Sequence, residues 1–287
     1  PFLRSMATIG YEAAASVAPV SDFNGRWAVP LGADPAKVHT AYNGVDVDQF
    51  RPVAREPAKP TMVFVGRIDP LKDLETLIRA VPRIVASVPD VEVHLIGPVP
   101  ETNKAYAEGL QSLIASLGMG DHVRMMGPTS DPVSAYCSGT IAVLSSISEG
   151  FPYGALEPMA CGRAVVATKV GGVPEAVGEC GNLVPSRDPD AFADACVDLL
   201  TDHVRRKALA KSSRQRVVHQ FALGRMLDTF RTRYREVCAE PLPTRAASAG
   251  VAARQLTGSG SRLAPRIPVP RDPELAGSRV RSRVARA

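Results

Sequence analysis

Short apolar runs alternate with longer amphipathic stretches through the middle of the chain. The apolar runs have the length of buried parallel strands and cover residues 62–65, 91–96, 123–126, 141–144, 164–167 and 181–184. The stretches with helical spacing cover residues 74–87, 105–117, 131–137, 154–161 and 188–200. This order predicts an α/β domain with a doubly wound parallel sheet, whose ligand lies beyond the carboxyl ends of the strands.

The first part of the chain shows a looser version of the same alternation. Residues 3–16 have helical spacing, and residues 17–20 predict a short strand. Asp22 is a residue type that caps helices, so we expect it to begin a helix that runs towards residue 31. Residues 37–42 predict a second short strand, which leads into an Asn-Gly turn.

The end of the chain changes character. Two helices, residues 203–221 and 222–237, are predicted to complete the fold. Residues 239–287 then contain nine arginines, three acidic residues and no aromatic residue, so the net charge of +5 belongs to this tail and not to the predicted domain. We expect the tail to be disordered, and its lack of stacking aromatics argues against nucleic-acid binding.

The loop after the fourth predicted strand carries candidate chemistry. A helix is predicted to begin near Gly154, so that the N–H groups of Gly154, Ala155 and Leu156 face the sheet edge and favour a phosphate there. Glu149 precedes this helix start and Glu157 follows it, and each carboxylate can accept hydrogen bonds from hydroxyls. A single Glu near a helix start is as often explained by the helix dipole. The pair suits a ligand with sugar on both sides of a phosphate, such as a nucleotide sugar.

A second set of candidates follows the first predicted strand. Arg67 and Lys72 lie in the sequence VGRIDPLKD, and Gly66 before them allows close approach of the backbone. A lone Arg in a loop is usually solvated, but two cations at this edge can hold a phosphate and stabilise the charge of a departing diphosphate. Gly171 and Gly172 precede Val173, Pro174 and Glu175, and backbone geometry explains these two glycines adequately.

The segment SEGFPYGALEPMACGRAVVATKVGGVPE resembles the E-x7-E region of the retaining, nucleotide-sugar-dependent family 4 glycosyltransferases, which have the two-domain GT-B fold. Glu149 and Glu157 fall on the two glutamates of the motif, and the resemblance extends over residues 36–237. It implies a Rossmann-like donor-binding domain at residues 44–238. It also implies that residues 1–43 are the closing part of an acceptor-binding domain, and we therefore expect donor binding with little sugar transfer.

The resemblance also implies a role for individual residues. Arg67 and Lys72 match the family's diphosphate ligands, Glu149 contacts the transferred sugar, and Glu157 holds the ribose hydroxyls. We therefore name Arg67, Lys72 and Glu149 as the catalytic residues. The remaining donor-binding residues implied by the resemblance are Gly66, Phe151, Pro152, Gly154, Ala155, Leu156 and Glu157.

The predicted function is transfer of a hexose-type sugar, with retention, from a nucleoside diphosphate to a hydroxyl acceptor in polysaccharide or glycolipid synthesis. The resemblance implies a UDP-sugar donor, no cofactor and no metal. The wording VLSSISEGFP and ADPAKVHTAYNGVD suggests the Pel-like exopolysaccharide branch. Two alternatives stay open: a phosphorylase or epimerase of the same fold, and a non-catalytic nucleotide-sugar-binding or interaction module.

The compartment is predicted from what the sequence lacks. Residues 1–30 do not have the order of a signal peptide, and no apolar run has the length of a membrane span. The five cysteines are odd in number and have no zinc or disulfide spacing. We therefore expect a cytoplasmic protein, with peripheral association with a membrane synthesis complex as a further expectation.

The tail provides the first testable prediction. Because residues 240–287 offer no aromatic side chains for a core, their deletion should leave the thermal unfolding temperature unchanged. Differential scanning calorimetry of the full chain and of a chain ending at residue 239 measures this directly. A decrease of many degrees would show that the tail packs on the domain.

Overall fold

The computed structural model describes residues 2–53 and 57–239, with side chains from residue 5 onward. The strands are β1 (Thr61–Val65), β2 (Glu92–Ile96), β3 (Val123–Gly127), β4 (Ile141–Leu144), β5 (Ala164–Thr168) and β6 (Asn182–Val184). The helices are α1 (Phe2–Ala13), α2 (Asp22–Ala28), α3 (Leu74–Ser87), α4 (Lys104–Ser116), α5 (Pro132–Cys137), α6 (Tyr153–Ala160), α7 (Val173–Val177), α8 (Pro189–Thr201), α9 (His203–Gln220) and α10 (Leu223–Ala239). Short 3-10 turns cover Val29–Leu31, Pro35–Lys37, Pro70–Lys72 and Glu101–Asn103.

All six strands pair in parallel in one sheet, in the order β3-β2-β1-β4-β5-β6. The α/β fold predicted from the alternation is therefore confirmed. The chain order reverses between β1 and β4, which creates a crevice at the carboxyl ends of these two strands. Every residue of β4 and β5 is buried, which explains why these strands are continuous apolar runs. The edge strand β3 instead alternates between buried or half-buried positions and exposed ones.

The predicted strands near the start of the chain are wrong. A single parallel bridge, Val17 to Val38, stands in their place. The two segments do exchange backbone hydrogen bonds, as in His39 N to Val17 O at 2.9 Å and Ala41 N to Pro19 O at 2.8 Å. Pro19 has no N–H to donate, and it interrupts the ladder at this position.

The first residues of α2 also differ from the prediction. Ser21, rather than Asp22, is the N-cap, because its hydroxyl accepts a hydrogen bond from the N–H of Asn24. The helix ends at Ala28 and continues as the 3-10 turn Val29–Leu31. Helix α7 was not predicted at all, since its five residues are too few for helical spacing to be visible.

The bend between α9 and α10 pairs with the segment that enters the sheet domain. Val45 N donates to Phe221 O at 2.9 Å, and Leu223 N donates to Val45 O at 2.8 Å. Tyr42 and Phe151 pack with Phe221 in an aromatic cluster, with ring centroids 4.8 to 5.6 Å apart. The two ends of the described domain are therefore joined beside the loop that follows β4.

Glu175 on α7 connects the sheet domain to the start of α2. Its carboxylate oxygens accept hydrogen bonds from the N–H groups of Asp22 at 2.8 Å and Phe23 at 2.7 Å. The hydroxyl of Tyr42 donates to the same carboxylate at 3.2 Å. Burial, together with the nearby carboxylates of Asp22 and Glu175, raises the pKa of Tyr42 well above its ordinary value, so this hydroxyl stays protonated.

The predicted tail, residues 239–287, lies outside the described residues apart from Ala239, which ends α10. Within residues 2–53 and 57–239, no helix combines the length and the apolar character needed to cross a membrane.

Glu175 provides a stability prediction. Replacing Glu175 with Ala leaves the first two N–H groups of α2 and the Tyr42 hydroxyl without their acceptor, so the free energy of unfolding should decrease by about 1–3 kcal/mol. Urea denaturation followed by circular dichroism measures the change. The matched control is Glu179→Ala, two residues after α7 at an exposed position, which should change stability by less than ~0.5 kcal/mol. Equal effects of the two substitutions would contradict the role of Glu175.

Candidate functional site

Loops that follow β1, β4 and β5 meet at the carboxyl edge of the sheet. Ile147 N donates to Leu71 O at 2.9 Å, which joins the loop after β4 to the loop after β1. The buried hydroxyl of Ser145 donates to Lys72 O at 2.7 Å and strengthens this contact. Gly172 N donates to Glu149 O at 3.1 Å, which joins the loop after β5 to the same centre.

The structure brings Lys72 and Glu149 together at this centre. Lys72 Nζ lies 2.6 Å from Glu149 Oε1, and the buried hydroxyl of Ser146 donates to the same oxygen at 2.6 Å. The two side chains are only 22% and 11% exposed, so the ion pair is screened less than a surface pair. Among the described residues, the other oxygen of Glu149 accepts no hydrogen bond, so it remains available to a ligand.

Arg67 lies on the exposed part of the loop after β1 and does not join the Lys72–Glu149 pair. Its neighbour Asp69 caps the turn Pro70–Lys72, with Leu71 N donating to Asp69 Oδ1 at 3.0 Å. This backbone hydrogen bond lowers the pKa of Asp69, and the positive charges of Arg67 and Lys72 contribute to the decrease. The loop therefore places both cations near the carboxylate of Asp69, which lies between them in sequence.

The start of α6 differs from the prediction in two respects. The helix begins at Tyr153, one residue earlier than expected, with Pro152 at the N-cap. The N–H groups of Ala155 and Leu156 both donate to Pro152 O, at 3.1 and 3.3 Å, so they are not available to a ligand. Of the three predicted N–H groups, only that of Gly154 makes no backbone hydrogen bond within the described part of the chain.

Several predicted donor-binding residues are core residues. Ala155 and Leu156 are fully buried, and Phe151 is buried in the aromatic cluster. They can shape the site through their backbone, but their side chains face the hydrophobic core. Gly154 is at the edge of the site, because a Cβ there would lie 3.5 Å from the Leu144 side chain and 3.8 Å from Val65 O.

Glu157 projects from the second turn of α6 and is half-buried. The hydroxyl of Tyr136 donates to Glu157 Oε2 at 2.9 Å. Burial raises the pKa of the Glu157 carboxyl, and the hydrogen bond from Tyr136 acts in the opposite direction and favours the carboxylate.

Gly171 and Gly172 allow the loops after β4 and β5 to touch through their backbones. A Cβ on Gly171 would lie 1.8 Å from Glu149 O, and a Cβ on Gly172 would lie 1.9 Å from Gly150 O. Gly171 also has a φ of 54°, in the left-handed region. The predicted backbone role of these glycines therefore has a specific physical basis, since they set the position of Glu149.

Four residues of the site were not found from the sequence. Ser146 holds Glu149, Tyr136 holds Glu157, and Asn43 Nδ2 donates to Phe151 O at 2.8 Å. Glu175 holds the start of α2 close to the same loops. Asn43, Ser146 and Glu175 did stand in the segments that carry the resemblance, but Tyr136 lies in the short predicted helix at residues 131–137, where helical spacing gives no sign of its partner.

Within the described ranges, no three His, Cys, Asp or Glu side chains cluster in a way that could hold a metal ion. The site is instead a cationic loop, a half-buried ion pair and the start of a helix, together at the switch point of a parallel sheet. This is an arrangement suited to an anionic ligand, above all a phosphate.

Residues 59–202, half of the chain, match the family described as Glycosyl transferases group 1. The chain belongs to this family. It is 36% identical over 239 residues to a D-inositol 3-phosphate glycosyltransferase 2 of Catenulispora acidiphila, a match that covers 72% of this chain and 55% of that relative. The chain spans about half the length of the curated relatives it matches.

Solved structures confirm the GT-B type of fold. The Anabaena protein Alr3699/HepE, in complex with UDP and glucose, aligns with a TM-score of 0.76 at 20% identity, over 82% of this chain and 66% of that one. A sucrose-phosphate synthase from Thermosynechococcus elongatus aligns with a TM-score of 0.75 at 26% identity, over 82% of this chain and 61% of that one. The expectation of a Pel-like protein is corrected, because the curated relatives at 33 to 37% identity are D-inositol 3-phosphate glycosyltransferases.

The contact at Gly171 provides a prediction for this site. Gly171→Ala places a methyl group against Glu149 O and strains the backbone, so it should shift the loop after β4 and weaken binding of UDP. Gly118→Ala is the matched control, because Gly118 has a similar φ of 68° but nothing within 4 Å of its Cβ position.

We expect Gly171→Ala to lower the free energy of unfolding by about 1–3 kcal/mol more than Gly118→Ala does. Only Gly171→Ala should also reduce UDP affinity in isothermal titration calorimetry. If both variants bind UDP like the parent chain, the glycine contact does not determine the position of Glu149.

Proposed function

We propose that the protein is a retaining glycosyltransferase. Its residues 44–238 bind a UDP-sugar, and the enzyme transfers the hexose of this donor to a hydroxyl acceptor. The observation that carries this proposal is the Lys72–Glu149 ion pair, which lies in the loops where β1 and β4 end. This is the point at which a doubly wound sheet binds its ligand. Membership in a glycosyltransferase family favours transfer over the phosphorylase, epimerase and non-catalytic alternatives.

The charges of the site suit a diphosphate. The ammonium of Lys72 has three N–H donors, so it can keep its bond to Glu149 and still donate to a phosphate oxygen. Exposed Arg67 can approach the second phosphate, and the N–H of Gly154 adds the positive end of α6. These groups stabilise the negative charge that develops on the departing diphosphate, so they would lower the barrier to sugar transfer without a dissociable metal.

We assign each glutamate to a different sugar of the donor. Glu149 keeps one oxygen on Lys72 and Ser146, and its other oxygen can accept from a hydroxyl of the transferred hexose. Glu157 lies further along α6 and can accept from the ribose hydroxyls. The hexose is therefore held beside the group that stabilises its leaving diphosphate.

The acceptor would enter from the side of the first segment of the chain. Val20 and Asn24 lie against Gly150, because a Cβ on Gly150 would be 3.3 Å from the Val20 side chain and 3.8 Å from Asn24 Oδ1. The names of the relatives point to inositol 3-phosphate as the first hydroxyl acceptor to test. Retention of configuration rests on the resemblance of the E-x7-E segment.

Calorimetric titration of the chain with UDP tests this proposal. The parent chain should bind UDP with micromolar to millimolar affinity, and Glu157→Ala should weaken binding by about 1–3 kcal/mol, since the ribose hydroxyls lose a half-buried acceptor. The control is Glu108→Ala, which removes an exposed carboxylate from α4 and should leave UDP affinity unchanged. No measurable UDP binding by the folded parent chain would refute the donor site.

A further inference from the structure

Tyr136 is a buried polar residue that the proposed function does not use. It lies on α5 and is 2% exposed, and its ring packs in the main hydrophobic core. The hydroxyl is the polar atom of its side chain, and it donates to Glu157 Oε2 at 2.9 Å. A buried aromatic ring that delivers one hydroxyl to one carboxylate oxygen can fix the orientation of that carboxylate.

The two helices that carry this hydrogen bond are joined at a second point. The guanidinium of Arg163, 6% exposed, donates to Cys137 O at 2.9 Å and so joins the end of α5 to the strand that follows α6. Arg163 N also donates to Pro158 O at 2.9 Å, inside α6. Arg163 therefore links the elements that carry Tyr136 and Glu157, and this second contact favours their present separation.

The protonation states suit a donor and an acceptor. Burial raises the pKa of Tyr136 well above its ordinary value, so the hydroxyl keeps its proton. Burial also raises the pKa of Glu157, and the hydrogen bond from Tyr136 opposes that rise and helps to keep the carboxyl ionised. With Oε2 occupied, Oε1 is the oxygen that accepts no hydrogen bond from the described residues.

We infer that Tyr136 is a positioning residue that holds Glu157 Oε2 and thereby directs Oε1 towards the ribose hydroxyls of the nucleotide. This inference rests on the proposed donor site. A carboxylate that is free to rotate would lose conformational freedom when it binds a ribose, whereas the hydrogen bond from Tyr136 orders it in advance and reduces that entropic cost. Tyr136 should therefore contribute to nucleotide affinity through the ribose hydroxyls alone, without touching the ligand.

The experiment compares UDP with 2′,3′-dideoxy-UDP, which lacks both ribose hydroxyls but keeps the base and the diphosphate. The measured quantity is the ratio of the two dissociation constants for each protein, obtained by isothermal titration calorimetry. A ratio taken on one sample does not depend on the fraction of protein that is folded. It also cancels any change in the diphosphate or base contacts, which both ligands share.

Tyr136→Phe keeps the ring in the core and removes only the hydroxyl. We expect it to reduce the preference for UDP over the dideoxy analogue by about fivefold, the effect of one hydrogen bond, while affinity for the analogue stays the same. In a chain that already carries Glu157→Ala, the same substitution should have no further effect on the ratio, because Tyr136 acts through Glu157.

Tyr106→Phe is the matched control. Tyr106 on α4 also donates its hydroxyl to a carboxylate, Glu75 Oε2 at 2.5 Å, but it belongs to the packing of α3 against α4. This variant should leave the ratio unchanged even if it lowers the stability of the fold.

Each outcome decides one claim. If the parent chain binds both ligands equally, the ribose role of Glu157 is wrong, and the proposed donor site must be revised. If the parent prefers UDP and Tyr136→Phe keeps the full preference, the positioning role of Tyr136 is wrong while the donor site stands. A Tyr136→Phe chain that does not fold would also overturn the inference, because the hydroxyl would then be a structural hydrogen bond of the core.

Discussion

The position of Glu149 depends on direct backbone contact between the loops after β4 and β5. Gly171 and Gly172 approach the carbonyl oxygens of Glu149 and Gly150 so closely that no side chain fits between them. The carbonyl of Glu149 then accepts the N–H of Gly172, and the buried hydroxyl of Thr168 donates to Ser146 O. A loop that is held through its own backbone can carry a charged side chain at a fixed place, and this is the requirement of a preorganised site.

The same loop is held from the other side by the segment after β1, and the two sides together make the half-buried ion pair possible. Ser145 and Ile147 donate hydrogen bonds to the backbone of the turn Pro70–Lys72, so the backbones that carry Lys72 and Glu149 are held within reach of each other. Ser146 donates a further hydrogen bond to the Glu149 carboxylate, which reduces the desolvation penalty that a half-buried pair would otherwise carry. The result is a charged centre whose remaining hydrogen-bonding capacity is directed at the crevice.

The first segment of the chain also contacts the loops that carry the site. Glu175 receives the first N–H groups of α2, and Asn43 donates to the carbonyl of Phe151 in the loop that carries the site. The aromatic cluster of Tyr42, Phe151 and Phe221 fills the space between these contacts. A displacement of the segment that precedes the sheet would therefore shift the loop that follows β4.

The sequence by itself determined the class of the protein and the elements of the sheet domain other than α7. Buried parallel strands need continuous apolar runs and amphipathic helices need a period of 3.6 residues, so both can be recognised in the sequence alone. Strand β4 and helix α3 accordingly match the predicted bounds. The two glutamates and two cations were found because their spacing belongs to a motif. Only the tertiary structure decided which atoms meet: that Lys72 pairs with Glu149, that the N–H groups of Ala155 and Leu156 are used within α6, and that Tyr136 reaches Glu157 across 21 positions of sequence. The physical reason is that hydrogen bonds and burial depend on distances between elements far apart in the chain, and local periodicity contains no information about those distances.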